Sequence, residues 1–244
     1  MNAPRLVAVH QPNFFPWLGY FDKILRAEVF IILDDAQFPK TGAGTWSNRV
    51  KMLLGEPKWF TMPVVRNYHG MHRYDEVRID ESRPWRDAFL TALRAFYGRT
   101  LGFAEGFPLC EPLIRCPASS LVEYNLNALT GLLDILSLPR GHLRRASEFA
   151  VNSRGTERLI DLVKAVGGNA YLAGGGAGSY QEDGLFAERG VSLVHQNFQH
   201  PEYDQGGAFV SGLSVLDALF RLGVEETRRI LFSERERSSF PPRA

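Results

Sequence analysis

The sequence predicts an α/β fold with a mostly parallel sheet and a helical middle section. Three observations carry this. Short apolar runs of strand length alternate with segments of helical periodicity at both ends of the chain. The opening stretch from residue 6 to 35 has the size of a strand–helix–strand crossover. The segment from about 84 to 140 shows helix-spaced apolar residues and no strand-like run.

The elements follow in order. Leu6-Val7-Ala8-Val9 reads as a buried strand. Pro12 and Pro16 exclude a helix through the next loop. A helix from Gly19 to Ala27 then buries one face, with Leu18, Phe21, Ile24 and Leu25 at helical spacing. Val29 to Leu33 is the second strand and ends in Asp34-Asp35. Residues 36 to 51 read as a long polar loop, the kind that is often functional. Trp59 to Val65 is expected as a third strand and Val77 to Ile79 as a short one. His69 and His72 lie between them, but Asn67 and Gly70 argue against a helix that would pair them on a metal. Pro84 opens a helix to Phe96, with Trp85, Phe89, Leu93 and Phe96 on one face.

Residues 98 to 118 read as a connector, and Ser119 to Leu136 as a helix with Asn125 and Asn127 exposed or making polar contacts. A short strand is expected within 142–149. Thr156 to Val166 is a helix with Thr156 as its cap and Gly167-Gly168 as its stop. Ala170 to Ala173 is a strand that runs into Gly174-Gly175-Gly176-Ala177-Gly178. A short helix to Glu188, a strand over Val191–His195, a polar loop to Gly206 and a helix capped by Ser214 complete the pattern. One domain is expected over 1–235, followed by a disordered tail at 236–244.

Composition narrows the function classes. The 244 residues carry a net charge of +1, with 45% hydrophobic and 23% charged residues. That balance gives no bulk electrostatic reason to bind nucleic acid or membrane. No apolar run approaches the roughly 20 residues of a membrane span, and the N-terminus lacks signal-peptide design, so a cytoplasmic location is expected. Cys110 and Cys116 fit no zinc spacing.

In parallel sheets, ligands bind at the carboxyl ends of the strands. His10 leaves such an end and is the leading candidate for a general base or a phosphate donor; the alternative is a loop histidine that holds the Pro-rich turn. Asp34 and Asp35 could orient His10, bind a metal, or accept from an amine or sugar hydroxyl, or could form a solvated strand end. The glycine run at 174–178 misses both the dinucleotide fingerprint and the P-loop pattern. It could still cradle an anion or permit close packing. His200, Tyr203 and Gln205 share a loop after a strand. No nucleophile elbow occurs, since Gly212-Leu213-Ser214-Val215 lacks the second glycine. The opening unit invites comparison with nucleotidylyltransferases, which carry a His-x-Gly-His signature after the first strand; only the strand and His10 are present here.

The string Val9-His10-Gln11-Pro12-Asn13-Phe14-Phe15-Pro16-Trp17-Leu18-Gly19-Tyr20-Phe21-Asp22-Lys23 resembles the WbqC-like family. So do Leu33 to Lys40, Asn48-Arg49-Val50-Lys51, Tyr171 to Tyr180, Phe198 to Gln205 and Ser214 to Phe220. Residues 98 to 150 match less clearly. Family members resemble proteins of bacterial O-antigen and polysaccharide gene sets. The resemblance implies attachment of a glycine-type acyl group to the amine of a nucleotide-linked amino sugar. The loop between Gln37 and Lys51 departs from the family's shorter pattern at Thr41 to Thr45, so donor and acceptor specificity do not carry over.

The expected activity is therefore N-acyl or aminoacyl transfer to an amine, in polysaccharide or secondary-metabolite biosynthesis. His10 would act as base and Asp34 or Asp35 would orient it. Gln11, Asn13, Trp17, Tyr20, Lys23, Gln37, Lys40, Asn48, Arg49, Lys51, Gly174, Gly175, His200, Tyr203 and Gln205 are the expected binding residues. The partners would be a small-molecule amine and an activated acyl donor, with nucleic acid entering only as an aminoacyl-tRNA donor. The sequence leaves open the cofactor, any use of ATP or metal, and the oligomeric state. The alternatives are nucleotidyl or adenylyl transfer and non-catalytic binding of a nucleotide sugar.

Overall fold

A computed structural model describes residues 5–39, 45–67, 69–140, 142–175 and 183–237. In chain order the first half contains β1 (Leu6–His10), α1 (Leu18–Arg26), β2 (Val29–Ile32), β3 (Arg49–Leu54), β4 (Glu56–Thr61) and α2 (Trp85–Tyr97). The helical section continues with α3 (Phe103–Ile114) and α4 (Leu121–Ile135). The chain then returns to alternation through β5 (His142–Arg145), α5 (Gly155–Ala165), β6 (Ala170–Ala173), α6 (Asp183–Glu188) and β7 (Ser192–His195). It ends with α7 (Val215–Leu222) and α8 (Val224–Arg237).

Five strands form one parallel sheet in the order β5-β2-β1-β6-β7. The apolar runs at 6–9, 29–32 and 170–173 are buried throughout, as expected when helices cover both faces of a parallel sheet. Alternate side chains serve two cores. Leu6, Ala8, Phe30, Ile32 and Leu172 join the larger core with α1, α2, α3, α4 and α7. Val7, Val9, Val29, Ile31 and Tyr171 join a smaller one beneath α5 and Phe186 of α6.

Several expectations are corrected. The third strand does not run over 59–65 in the main sheet. An antiparallel hairpin of β3 and β4 stands apart from it, turning at Gly55 with φ +75°. Its first strand lies inside the expected polar loop. Val50, Met52 and Leu54 face the core while Arg49, Lys51 and Leu53 are half-buried, so charged residues masked the two-residue period. Residues 103–114 are helical despite Pro108 and Pro112. Phe103 and Phe107 meet Phe220 of α7 at 5.3 and 6.3 Å. A Cβ on Gly102 would fall 2.2 Å from Gly223 N, so two glycines allow this close crossing. Tertiary packing here overrides the local cost of proline. In α2 the inward residues are Trp85, Phe89, Leu90, Leu93 and Tyr97, whereas Phe96 is exposed. Arg154, not Thr156, occupies the cap position of α5. Ser214 does cap α7, accepting from Leu216 N at 3.2 Å. α8 continues to Arg237, and the rest of the expected tail lies outside the described residues.

Candidate functional site

From β1 the chain adds β2 and then β5 on one side, and β6 and then β7 on the other. The switch in direction opens a crevice between the carboxyl ends of β1 and β6, the usual ligand position in such sheets. His10 ends β1 and Gly174 follows β6. Beside them lies a cleft of about 310 Å³, walled by Trp17, Gly175, Gln196, Phe198 and His200 among others.

His10 sits against the aromatic side of this crevice. Its ring meets Tyr20 at 4.7 Å and Trp17 at 5.7 Å, both edge-on. Nδ1 lies 3.2 Å from Gln11 O. A carbonyl accepts only, so this contact requires Nδ1–H and leaves the Nε2 lone pair free to accept. Burial, reinforced by the Lys23 charge, lowers the imidazole pKa from 6.5 to about 3. The ring is therefore neutral at neutral pH. Tyr20 donates its hydroxyl to the same Gln11 carbonyl at 3.0 Å, and burial holds that phenol well above its usual range.

Lys23 lies on α1, 3% exposed, and donates from Nζ to Val9 O at 3.1 Å. Burial pushes its pKa down to about 7. Gln196, just past β7, donates from Nε2 to Gly19 O at 2.6 Å and to Asp22 Oδ2 at 2.7 Å. These bonds tie the β7 edge to α1 and fix the direction of the Gln196 carboxamide. His200 receives Gly212 N–H at Nδ1, 3.4 Å away, and meets Phe198 edge-on at 5.0 Å. Burial and then the Lys51 charge lower the His200 pKa.

Asp34 and Asp35 stand on the β2–β5 side. Asp34 accepts from Ser147 N and Oγ at 3.0 and 2.6 Å and pairs with Arg145 at 3.3 Å. Asp35 takes Arg158 Nη2 at 2.6 Å. Their carboxylates thus anchor the segment after β5 and helix α5, and Gln11 O rather than either acid fixes the His10 ring.

The remaining expected residues divide. The Gln11 side chain is exposed. Asn13 is 2% exposed, and both its amide atoms lack a hydrogen-bond partner among the described residues. Gln37 is exposed and its backbone bridges to Arg73. Asn48 is a structural clip, accepting from Thr45 N and donating to Met62 O at 2.9 and 3.0 Å. The Arg49 guanidinium covers the Trp59 ring at 4.3 Å. From Trp59 an aromatic chain runs through Trp46 to Trp17 at the cleft, with steps of 4.7 and 4.9 Å. Lys51 Nζ donates to Ser211 O at 3.0 Å. Tyr203 donates to the buried Asp217, and Gln205 clips Val210 through both its amide atoms. Lys40 lies outside the described residues, as does the glycine run beyond Gly175.

The structure therefore gathers His10, Trp17, Tyr20, Lys23, Gly174, Gly175 and His200, and adds Gln196 and Phe198, which the sequence reading did not single out. Their place at the carboxyl end of a strand was the available signal.

Asn125 holds the His10 loop in place. It is 1% exposed on α4, and its Nδ2 donates to Pro12 O at 3.0 Å and Ser47 O at 2.7 Å. Asn125→Ala would leave two buried carbonyls without that donor. A loss of about 2–3 kcal/mol in chemical denaturation is expected, with weakened function because the loop carrying His10 and Trp17 is released.

The model of the WbqC-like protein family matches residues 11–229. The chain belongs to the WbqC-like family. It is also 30% identical over 228 residues to a Mycobacterium tuberculosis protein named "Uncharacterized protein Rv1507c", covering 91% of this chain and 95% of that one. No solved structure matches. The family match spans His10's neighbours, α1, the cleft loop after β7 and α7. Among the described residues of this WbqC-like chain, no helix is long and apolar enough to cross a membrane.

Proposed function

We propose that this WbqC-like chain transfers an acyl or aminoacyl group from an activated donor to a primary amine, such as the amino group of a nucleotide-linked amino sugar. The observation that carries the reading is the crevice at the β1/β6 switch point, where His10, an imidazole held neutral, packs edge-on against Trp17, and Trp17 in turn lines the adjoining cleft. The amine nitrogen attacks the donor carbonyl carbon. A C–N bond forms, the bond to the thiol or ester oxygen breaks, and the nitrogen gives up a proton. A neutral His10 accepts a hydrogen bond from a hydroxyl of the acceptor and so holds the neighbouring amine towards the carbonyl. Trp17 and Phe198 offer apolar faces to a base or sugar ring. Lys51 and Arg49 supply positive charge on the hairpin side for donor or nucleotide phosphates.

The test is mass spectrometry of UDP-glucosamine incubated with the chain and the glycyl thioester of N-acetylcysteamine. The expected product gains one glycyl residue through an amide. No amide with this donor or with a glycyl-tRNA donor overturns the reading. Carboxylic-acid-dependent pyrophosphate exchange would instead establish adenylyl transfer.

A further inference from the structure

The corner beside Gly174 is built differently from the His10 side of the cleft. A Cβ placed on Gly174 would lie 3.8 Å from Lys23 Nζ and 3.8 Å from Gln196 Oε1, with no other described heavy atom within 4 Å. Among the described residues, the space at this corner is bounded by an amine from α1 and an amide oxygen from the end of β7. Gln196 also lines the cleft, so the corner is its continuation.

The chemistry of the two groups restricts the guest. The Gln196 carboxamide cannot turn round without losing the bonds from Nε2 to Gly19 O and Asp22 Oδ2. Its Oε1 therefore faces the corner, where it can only accept. Lys23 gives one hydrogen to Val9 O, and in its neutral form it offers a lone pair. Among the described residues, the neighbouring charged and titratable groups are engaged elsewhere or carry no negative charge. Asp22 takes Gln196 and faces Arg26 at 3.8 Å, His10 is neutral on β1, and Tyr171 of β6 turns its ring to Nζ at 5.8 Å. Burial is what lowers the lysine pKa to about 7. A phosphate or carboxylate would meet Oε1 with no hydrogen to share. A hydroxyl has one hydrogen for two acceptors. A primary amine has two N–H groups and a lone pair left for attack.

We propose that Lys23 and Gln196 form the seat of the acceptor amine, with Lys23 Nζ taking the proton that the amine nitrogen loses as its new C–N bond forms. This rests on the acyl-transfer reading and deepens it. Gln196 Oε1 accepts one N–H of the nitrogen that becomes the amide. Nζ accepts the proton that is lost and returns it to solvent after the thiol has left. A lysine tuned close to neutral pH suits this task better than the weakly basic His10, because a base works best with a pKa near the working pH.

Two substitutions and one labelling experiment test the assignment, using glycyl-N-acetylcysteamine and UDP-glucosamine. Lys23→Met keeps the aliphatic stem and removes a buried charge, which offsets the lost hydrogen bond to Val9 O, so it should still fold and melt cooperatively. Its turnover should fall at least ~100-fold, and the limb of the pH–rate profile near pH 7 should vanish. Gly174→Ala sets a methyl group in the corner at ordinary contact distance, so it should fold normally and raise KM for the amine. Competition labelling of the intact protein with acetic anhydride should show Lys23 acetylating with a midpoint near pH 7, well below the other lysines. If the wild type forms no amide, the transfer reading falls and Lys23's role with it. If it does, but Lys23→Met keeps its rate and pH limb, or Lys23 acetylates only where ordinary lysines do, the transfer reading stands and the Lys23 assignment falls.

Discussion

Asp217→Ala is expected to lose about 3–5 kcal/mol of stability, read as a lower midpoint in urea denaturation. Asp217 lies on α7 with no exposed surface. It accepts from Tyr97 OH at 2.6 Å, from Tyr203 OH at 2.7 Å and from Arg221 Nε at 3.2 Å. Tyr97 OH in turn receives Leu53 N–H at 3.0 Å. One carboxylate thus ties α7 to α2, to the hairpin strand β3 and to the loop that closes the cleft. Burial, with Asp217's negative charge as the next cause, holds both phenols far above their usual ionisation range, so both remain donors. Alanine would leave two hydroxyls without their acceptor and a mostly buried guanidinium without its counter-charge. Asp217→Asn keeps the shape but loses the charge and should fall between the two. A loss below ~1 kcal/mol for the alanine variant, the range of an ordinary substitution, would show that the cluster does not hold these elements together.

His10→Phe is expected to cut amide formation by about 100-fold, as misplacement of the reacting groups does, while the fold survives. Phenylalanine preserves the edge contacts to Tyr20 and Trp17 and removes only the nitrogens. The same variant should change the acid side of the stability curve. The folded-state pKa of about 3 lies below the ordinary 6.5. Between those values the unfolded chain binds a proton at His10 that the folded chain does not. The stability linked to a neutral His10 is therefore complete above pH 6.5 and is lost as pH falls towards 3. The difference in unfolding free energy between wild type and His10→Phe should decline over that window and level off outside it. Full turnover in His10→Phe with an intact fold would remove His10 from the mechanism. An unchanged difference across the window would show that the imidazole is not held neutral.

The parts of this protein that were legible in the sequence share a physical cause. β1, β2 and β6 are buried on both faces, so their apolar character appears as unbroken runs such as Leu6 to Val9 and Val29 to Leu33. α1 and α7 bury single stripes, and their spacing shows. The hairpin was not legible, because β4 is almost wholly exposed and β3 alternates apolar residues with charged ones. Nor was α3, whose prolines argue locally for a break while Phe103, Phe107 and two glycines secure it against α7.

The site divides the same way. By itself the sequence determined the strand ends, and with them the edge on which His10, Gly174 and the loop from Gln196 to His200 must meet. It determined the family through the long string from Val9 to Lys23. Only the tertiary structure decided what each polar group does there. Asp34 and Asp35 follow a strand end as His10 does, yet Ser147, Arg145 and Arg158 claim them. Lys23 reads as a binding residue of the opening string, but that its amine turns inward from α1 to Val9 O and the corner at Gly174 shows only in the fold. The physical reason is that a side chain's proton affinity and free hydrogen-bonding capacity depend on burial and on partners far apart in sequence. Gln196 meets Gly19, and Asn125 meets Pro12, only once the sheet has closed. The opening string is thus a strand end, a loop and a helix whose chemistry is assigned by what the rest of the chain brings to it.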